Sequence, residues 1–396
     1  MQSFDQLPVT SLSDILRSNA TFYPDREAVI CGETCLTWAV LDRRVNQIAN
    51  GLLDAGLTKG DKVALITGNS AEMVEIMLGI NRAGWVVVPL SLLAPAAALG
   101  RMVADSGARA IFVSPTFDRI IDPELASLPE VRDRRFAVGF EAAGWTPYGP
   151  WRDGQLATPP AVRVVLSDEC VIIYSSGTTG TPKGIVHTHY NRSNFALGLS
   201  VEYRFTTESI TLVTTPLYSN GTWIMFLPTL LVHGRLVIMP KFDPGDFLRL
   251  IAKERVTHTL MVPPQYQAVL GHGDLPTADL SSLRLLSSVG STLRADLNLS
   301  GAFNVYPRDI EEVAAQHPEV ADVTVIGIPD PRWDEVPLAL VIPKPGLTPN
   351  VDELKAWINE RVGKHQRVTG VRLRESFPRN ALGKVVKKEL RVEYGN

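Results

Sequence analysis

From Ala28 to Val113 the chain alternates short β-prone apolar runs with amphipathic helical stretches, and few folds accept that pattern. Ala28–Cys31, Val63–Ile66, Trp85–Val88 and Ala110–Val113 are compact apolar runs of strand length. Between them, Thr37 can cap a helix reaching Ala55, with Val40, Leu41, Val45, Ile48, Leu52 and Leu53 at helical spacing. Asn69 or Ser70 can cap a second helix through Arg82, and a third covers Ala96–Ser106. Such alternation places strands in a parallel sheet with helices on its faces.

Residues 116–160 are rich in Pro, Gly and charge and read as irregular connection. Strand signals resume at Val171–Tyr174, Ile210–Thr214, Arg235–Ile238, His258–Met261 and Leu283–Ser287, with a helix at Pro244–Lys253. The character changes after Leu299. Pro307–Gln316 and Val351–Arg361 read as helices, Val320–Ile328, Pro337–Ile342 and Gly370–Leu373 as strands, and Lys384–Val392 as a basic helix. The expected class is α/β. A large N-terminal domain, residues 1–298, has parallel sheets covered by helices, and a small C-terminal α+β domain spans residues 299–396.

Composition narrows the function. Lys and Arg total 39 against 42 Asp and Glu, a net charge of −3, which argues against a broad nucleic-acid surface. Trp85–Leu99 is broken by Pro89 and Pro95, and Trp223–Val232 by Pro228, so neither reaches the roughly 20 apolar residues of a membrane span. The opening residues MQSFDQLPVT show no signal peptide. The odd set of three cysteines, Cys31, Cys35 and Cys170, points to buried free thiols in a reducing, cytoplasmic setting.

The strand Val171–Tyr174 runs straight into Ser175-Ser176-Gly177-Thr178-Thr179-Gly180-Thr181-Pro182-Lys183-Gly184. Small residues let backbone N–H groups form nests for phosphate oxygens. The hydroxyls add donors and Lys183 adds charge. A plain Ser/Thr/Gly surface loop is the alternative, and the upstream strand with the Pro-Lys-Gly ending argues against it. It is not a Walker A loop, because Gly184 rather than Ser or Thr follows Lys183. No G-x-G-x-x-G follows the early strands, which weighs against a dinucleotide fold.

Ser175–Gly184 resembles the phosphate-binding loop of the adenylate-forming (AMP-binding) superfamily, which includes acyl-CoA synthetases, luciferases and peptide-synthetase adenylation domains. Two further stretches agree, in family order. Gly301-Ala302-Phe303-Asn304-Val305-Tyr306-Pro307, then Ile310-Glu311, resembles the motif opening the C-terminal lid domain. Pro378-Arg379-Asn380-Ala381-Leu382-Gly383-Lys384 resembles the motif of the catalytic lysine.

The resemblance implies an acid–CoA ligase that makes an acyl-adenylate from ATP and a carboxylic acid, then passes the acyl group to coenzyme A. Ser175, Ser176, Gly177, Thr178, Thr179, Gly180 and Lys183 would hold the ATP phosphates, and Lys384 would be catalytic. Tyr218, Ser219 and Gly221, with Val289, Gly290 and Ser291, match the acyl and adenine pocket, and Gly301 and Trp333 match positions near the CoA tunnel. Trp223, Ile224, Met225 and Phe226 suit either an apolar pocket, for a fatty, alicyclic or aromatic acid, or core packing. Mg²⁺ is implied with ATP, although its protein ligands are unknown. His187 and His189 match no motif and read as packed or surface histidines.

This chain departs from the family pattern. Ser219 stands where many acyl-CoA ligases have His, and Ala302 and Asp334 replace common glycines. Between Ser291 and Gly301 the family places roughly a hundred further residues, including a Tyr-Gly-x-Thr-Glu motif and a ribose-binding Asp. Here Thr292-Leu293-Arg294-Ala295-Asp296-Leu297-Asn298-Leu299-Ser300 leads directly to the next motif. An impaired remnant that binds ligand or partner without turnover is therefore the alternative. Transfer to a carrier protein is a third reading. Loss of a covering segment should leave apolar surface exposed and favour homo-oligomers or lowered stability. Size-exclusion chromatography with thermal melting checks this: a sharp monomer peak with a cooperative melt would contradict it.

Overall fold

The computed structural model of the chain describes residues 10–115, 117–126, 128–175, 182–289, 307–330, 334–363, 366–378 and 385–394. It forms two compact units. The larger falls within Met1–Tyr174, Gly184–Met261 and Val269–Ser287, and the smaller within Ser175–Lys183, Val262–Ala268 and Ser288–Asn396.

Two sheets carry the larger unit. One has seven strands in the order Thr146–Pro147, Arg135–Ala137, Ala108–Val113, Lys62–Ile66, Val86–Pro89, Glu169–Ser175, Lys183–Thr188. Its first six strands pair in parallel. It is wound outward in both directions from Lys62–Ile66, with Val86–Pro89 on one side and Ala108–Val113 on the other. Crevices open at the carboxyl ends of strands where such winding reverses.

The second sheet has six strands in the order Leu285–Ser288, His258–Met261, Ile210–Val213, Arg235–Ile238, Glu27–Cys31, Thr34–Thr37. Its four central strands pair in parallel, and Thr34–Thr37 closes an antiparallel hairpin with Glu27–Cys31.

The capping signals behave as chemistry requires. Thr37 Oγ1 accepts from the Val40 N–H at the head of helix Trp38–Asp54. Ser70, not Asn69, caps helix Ala71–Arg82, its Oγ accepting from the Met73 N–H. That helix lies between the sheets, touching Glu27–Cys31 of one and Val86–Pro89 of the other. Gly79 brings it close to helix Trp38–Asp54: a Cβ there would stand 2.6 Å from Ile48.

Burial of this helix takes a carboxylate with it. The Glu75 side chain is fully buried and accepts from Arg44 Nη1 at 3.0 Å, Arg152 Nη1 at 2.6 Å and the Tyr148 hydroxyl at 2.6 Å. Burial and the Glu75 charge push the Tyr148 phenol well above its usual pKa. At the helix end the buried Arg82 binds Asp42 at 2.6 Å and the Ser13 carbonyl at 3.3 Å.

The smaller unit holds a three-stranded sheet of Val320–Asp330, Asp334–Pro343 and Gly370–Leu373, the first pair antiparallel and the second parallel. Successive residues point to opposite faces. Val325 and Ala339 join Ile310, Leu354 and Ile358 on one side, while Ile326 and Leu340 join Phe377 and Leu390 on the other. Helices Pro307–Ala314 and Val351–Arg361 thus cover one face, and Lys387–Tyr394 the other.

Several expectations need correction. Residues 116–160 are not an irregular connection: they contain helices Phe117–Leu125, Pro129–Arg132 and Tyr148–Asp153 and strands Arg135–Ala137 and Thr146–Pro147. These elements are too short for a period to show. Only Cys170 of the three free thiols is buried: Cys35 is exposed and Cys31 half-buried. Among the described residues no helix is long and apolar enough to cross a membrane. Exposed apolar side chains include Ile185 and Val186 on Lys183–Thr188 and Leu286 on Leu285–Ser288, the outermost strands of their sheets.

Glu75→Ala would strand Arg44 and Arg152 without their shared anion. Breaking a buried ion pair costs about 3–5 kcal/mol, and urea unfolding should show a loss of that order. A loss below about 1 kcal/mol, the scale of an exposed pair, would contradict it.

Candidate active site

The ends of the phosphate-type loop are defined by its flanking strands. Glu169–Ser175 and Lys183–Thr188 are neighbours in the seven-stranded sheet, with Ser175 and Lys183 at its mouth, both exposed. Ser176, Gly177, Thr178, Thr179 and Gly180 lie outside the described residues. Tyr174 anchors the incoming strand. Its hydroxyl donates to Asp105 Oδ2 at 2.6 Å, with the Met102 carbonyl 3.2 Å away. Burial and the Asp105 bond raise its pKa. The Tyr174 ring and Ile172 leave no room at Gly184, where a Cβ would fall 2.9 Å from Ile172 and 3.2 Å from Tyr174. The glycine closing Pro182-Lys183-Gly184 therefore lets the outgoing strand return against the incoming one.

Strand Ile210–Val213 leads into the second candidate segment, a turn that brings Tyr218, Ser219 and Gly221 together. The turn closes on itself. The Ser219 N–H donates to the Pro216 carbonyl at 2.9 Å and the Thr222 N–H to Ser219 at 3.1 Å. Thr222 Oγ1 reaches Pro216 O at 2.6 Å, and Trp223 Nε1 reaches Leu217 O at 2.9 Å. Trp223, Met225 and Phe226 are buried in helix Trp223–Leu231, and Trp223 and Phe226 belong to the main core, so packing accounts for them. The buried Arg192 lies 4.7 Å over the Trp223 ring.

The turn is tied to the other sheet by a residue that carries no motif. Asn69 Nδ2 donates to Thr215 O at 3.0 Å and Met239 O at 3.3 Å, and its Oδ1 accepts from the Leu217 N–H at 2.9 Å. Burial raises the pKa of the Tyr218 phenol. Asn69 follows strand Lys62–Ile66 of the seven-stranded sheet. The sequence held one signal for Asn69: two cap-type residues stand in succession, and only one can cap the helix. Asn69 also borders an open cleft of about 770 Å³ at the winding reversal, with Thr67, Ser70, Ser114 and Arg152 in its lining.

Of the remaining candidates, Val289 is half-buried just past strand Leu285–Ser288. Gly290, Ser291, Gly301, Trp333 and Lys384 lie outside the described residues. The helix following Lys384 is nevertheless anchored. Lys387 Nζ donates to Glu311 Oε1 at 2.6 Å and Val325 O at 3.2 Å. The same carboxylate oxygen accepts from the Val325 N–H at 2.7 Å and Thr324 Oγ1 at 3.1 Å. Among the described residues no cluster of three His, Cys, Asp or Glu could hold a metal ion.

His189 is a core residue. It is buried, and its Nδ1 accepts from the Leu12 N–H at 3.4 Å. Burial lowers its pKa to about 4. His187 is half-buried, and burial and then Arg192 lower its pKa.

The AMP-binding enzyme family profile matches residues 16–305, and that of the AMP-binding enzyme C-terminal domain residues 309–384. The chain is 28% identical to a feruloyl-CoA synthase of Amycolatopsis sp, covering 95% of this chain and 97% of that protein. It is 24% identical to a medium/long-chain fatty-acid–CoA ligase of Mycobacterium tuberculosis, covering 94% and 88%. The fold matches that of an amide bond synthetase from Marinactinospora thermotolerans with a TM-score of 0.79 at 21% identity, over 98% and 100% of the two chains. The alignment with the feruloyl-CoA synthase spans 494 positions, more than the 396 residues here, so that relative carries residues this chain lacks.

The buried His189 yields a pH prediction. Between pH 6.5 and about 4 the unfolded chain takes up a proton that the folded imidazole refuses, so stability falls as pH drops through that window. The contribution lost is about 3 kcal/mol. His189→Gln should show a shallower fall than wild type in urea unfolding from pH 7 to 4. Parallel curves would contradict it.

Proposed function

The chain belongs to the AMP-binding enzyme family, and on that premise we propose that it is an ATP-dependent acid–CoA ligase for an apolar carboxylate. One observation carries the reading. The two family segments occur in order, the phosphate-type loop lies inside the first, and the second runs to Lys384. The relatives named above, a feruloyl-CoA synthase and a fatty-acid–CoA ligase, support aromatic and aliphatic acids as the substrate classes to try.

In the first step a carboxylate oxygen attacks the α-phosphorus, the bond to the bridging oxygen breaks, and pyrophosphate leaves. ATP enters as its Mg²⁺ complex, the metal being part of the substrate. Ser175, Ser176, Gly177, Thr178, Thr179, Gly180 and Lys183 would hold the β- and γ-phosphates through backbone N–H groups, hydroxyls and one ammonium. Lys384 would set its charge between the carboxylate and the α-phosphate oxygens, a role suited to a compact ammonium with three donors. In the second step the CoA sulfur attacks the acyl carbon, the acyl–phosphate C–O bond breaks, and AMP leaves. Gly301 and Trp333 are the candidates to line the CoA path. The Tyr218–Ser219–Gly221 turn, with Val289, Gly290 and Ser291, would face the acyl group and adenine. The chemistry of both steps is positioning and electrostatics.

Pyrophosphate release is the test, run with ATP, Mg²⁺ and a panel of aliphatic and aromatic acids on protein of verified mass. Release should require both ATP and an acid. Lys384→Ala should lower it by about 10²-fold or more. Undiminished release would remove Lys384 from the first step. No release by a folded sample with any acid would overturn the ligase reading.

A further inference from the structure

The turn carrying Tyr218 and Ser219 is closed by its own hydrogen bonds, so it can shift as a rigid piece unless something outside holds it. Its tie to the neighbouring sheet is Asn69, at the carboxyl end of strand Lys62–Ile66. The three bonds also fix which way the amide faces. Two partners are carbonyls and one is an N–H, so only one orientation of the Asn69 carboxamide satisfies all three. Two bonds go to the turn, at Thr215 and Leu217, and the third goes to Met239, beyond strand Arg235–Ile238. One side chain thereby holds two neighbouring parallel strands of the six-stranded sheet at a set height against the seven-stranded sheet. Helix capping does not claim Asn69, because Ser70 does that work.

We infer that Asn69 is a positioning residue that sets the height of the Tyr218–Ser219 turn and, through it, which carboxylic acids the chain accepts. The inference rests on the assignment of this turn to the acyl pocket. Asn69 does not touch the acid: it holds the backbone from which Tyr218 projects. Without it the turn loses one acceptor and two donors and can ride up or down between the sheets. Acids whose fit depends on Tyr218 should suffer most, and slim aliphatic acids least.

The test compares wild type with Asn69→Ala by two readouts. Amide hydrogen exchange over residues 214–222 should speed up about tenfold or more in the variant, with helix Trp38–Asp54 unchanged. Dissociation constants for an aromatic and a straight-chain acid, measured with ATP present, should change in ratio by several-fold at an unaltered ATP constant. A ratio does not depend on the fraction of folded protein, so a purely structural role would leave it where it was. If Asn69→Ala does not fold, Asn69→Asp serves. It keeps the acceptor for Leu217 and turns an oxygen toward the Thr215 and Met239 carbonyls. Unchanged exchange in the turn, or an unchanged ratio of constants, would overturn the inference. A wild type that releases no pyrophosphate overturns the ligase reading instead, and the exchange result still decides for or against Asn69.

Discussion

The carboxylate of Glu75 cannot enter the interior alone, and much of the larger unit is arranged around that fact. Helix Ala71–Arg82 runs between two sheets and is buried at every position except Glu72. Leaving an ion unpaired there would cost several kcal/mol. Three donors answer it, from helix Trp38–Asp54 and helix Tyr148–Asp153, while Asp42 answers Arg82 at the other end. Those contacts fasten helices Trp38–Asp54 and Tyr148–Asp153 to helix Ala71–Arg82. Gly79 settles how closely helices Trp38–Asp54 and Ala71–Arg82 approach.

With the layers set, chemistry gathers where the strands end. Parallel strands deliver their loops to one edge, and two segments beside that edge are held here by side chains. Asp105 holds Tyr174 ahead of the phosphate-type loop, while Asn69 holds the turn of Tyr218. The smaller unit applies the same device. Glu311 gathers Lys387 and two groups of strand Val320–Asp330 onto one oxygen. In each case a candidate functional segment follows or precedes an anchor, and of these Asp105 and Asn69 have no functional signature of their own while Glu311 lies within a family-like motif.

Much of this architecture was legible in the residues. The strands from Glu27 to Val113 were visible because apolar runs alternate with capped amphipathic helices, and Thr37 and Ser70 do cap them. The Ser175–Gly184 loop stands out in the sequence because the anion cradle proposed for it needs small residues and donors in succession. Residues 116–160 were opaque: strands of two or three residues show no period, and Pro123 sits inside a helix. Helix Trp223–Leu231 was opaque for another reason, being apolar on nearly every side and so without a polar face to mark it. Asn69 was read only as a cap, because its partners stand at 215, 217 and 239 and no local pattern reports such a contact.

The Glu75 cluster also sets an order of events during synthesis. Helix Ala71–Arg82 leaves the ribosome well before Tyr148 and Arg152 exist to receive its carboxylate. Until they emerge, Arg44 is the one partner of Glu75 in this cluster already made, and the cluster stays incomplete. Asn69 waits longer still, for residues 215 to 239, before the second layer can lock onto the first. On that order the Glu75 cluster completes before Asn69 fastens the second sheet, and the Tyr218–Ser219 turn is among the later pieces of the larger unit to be set.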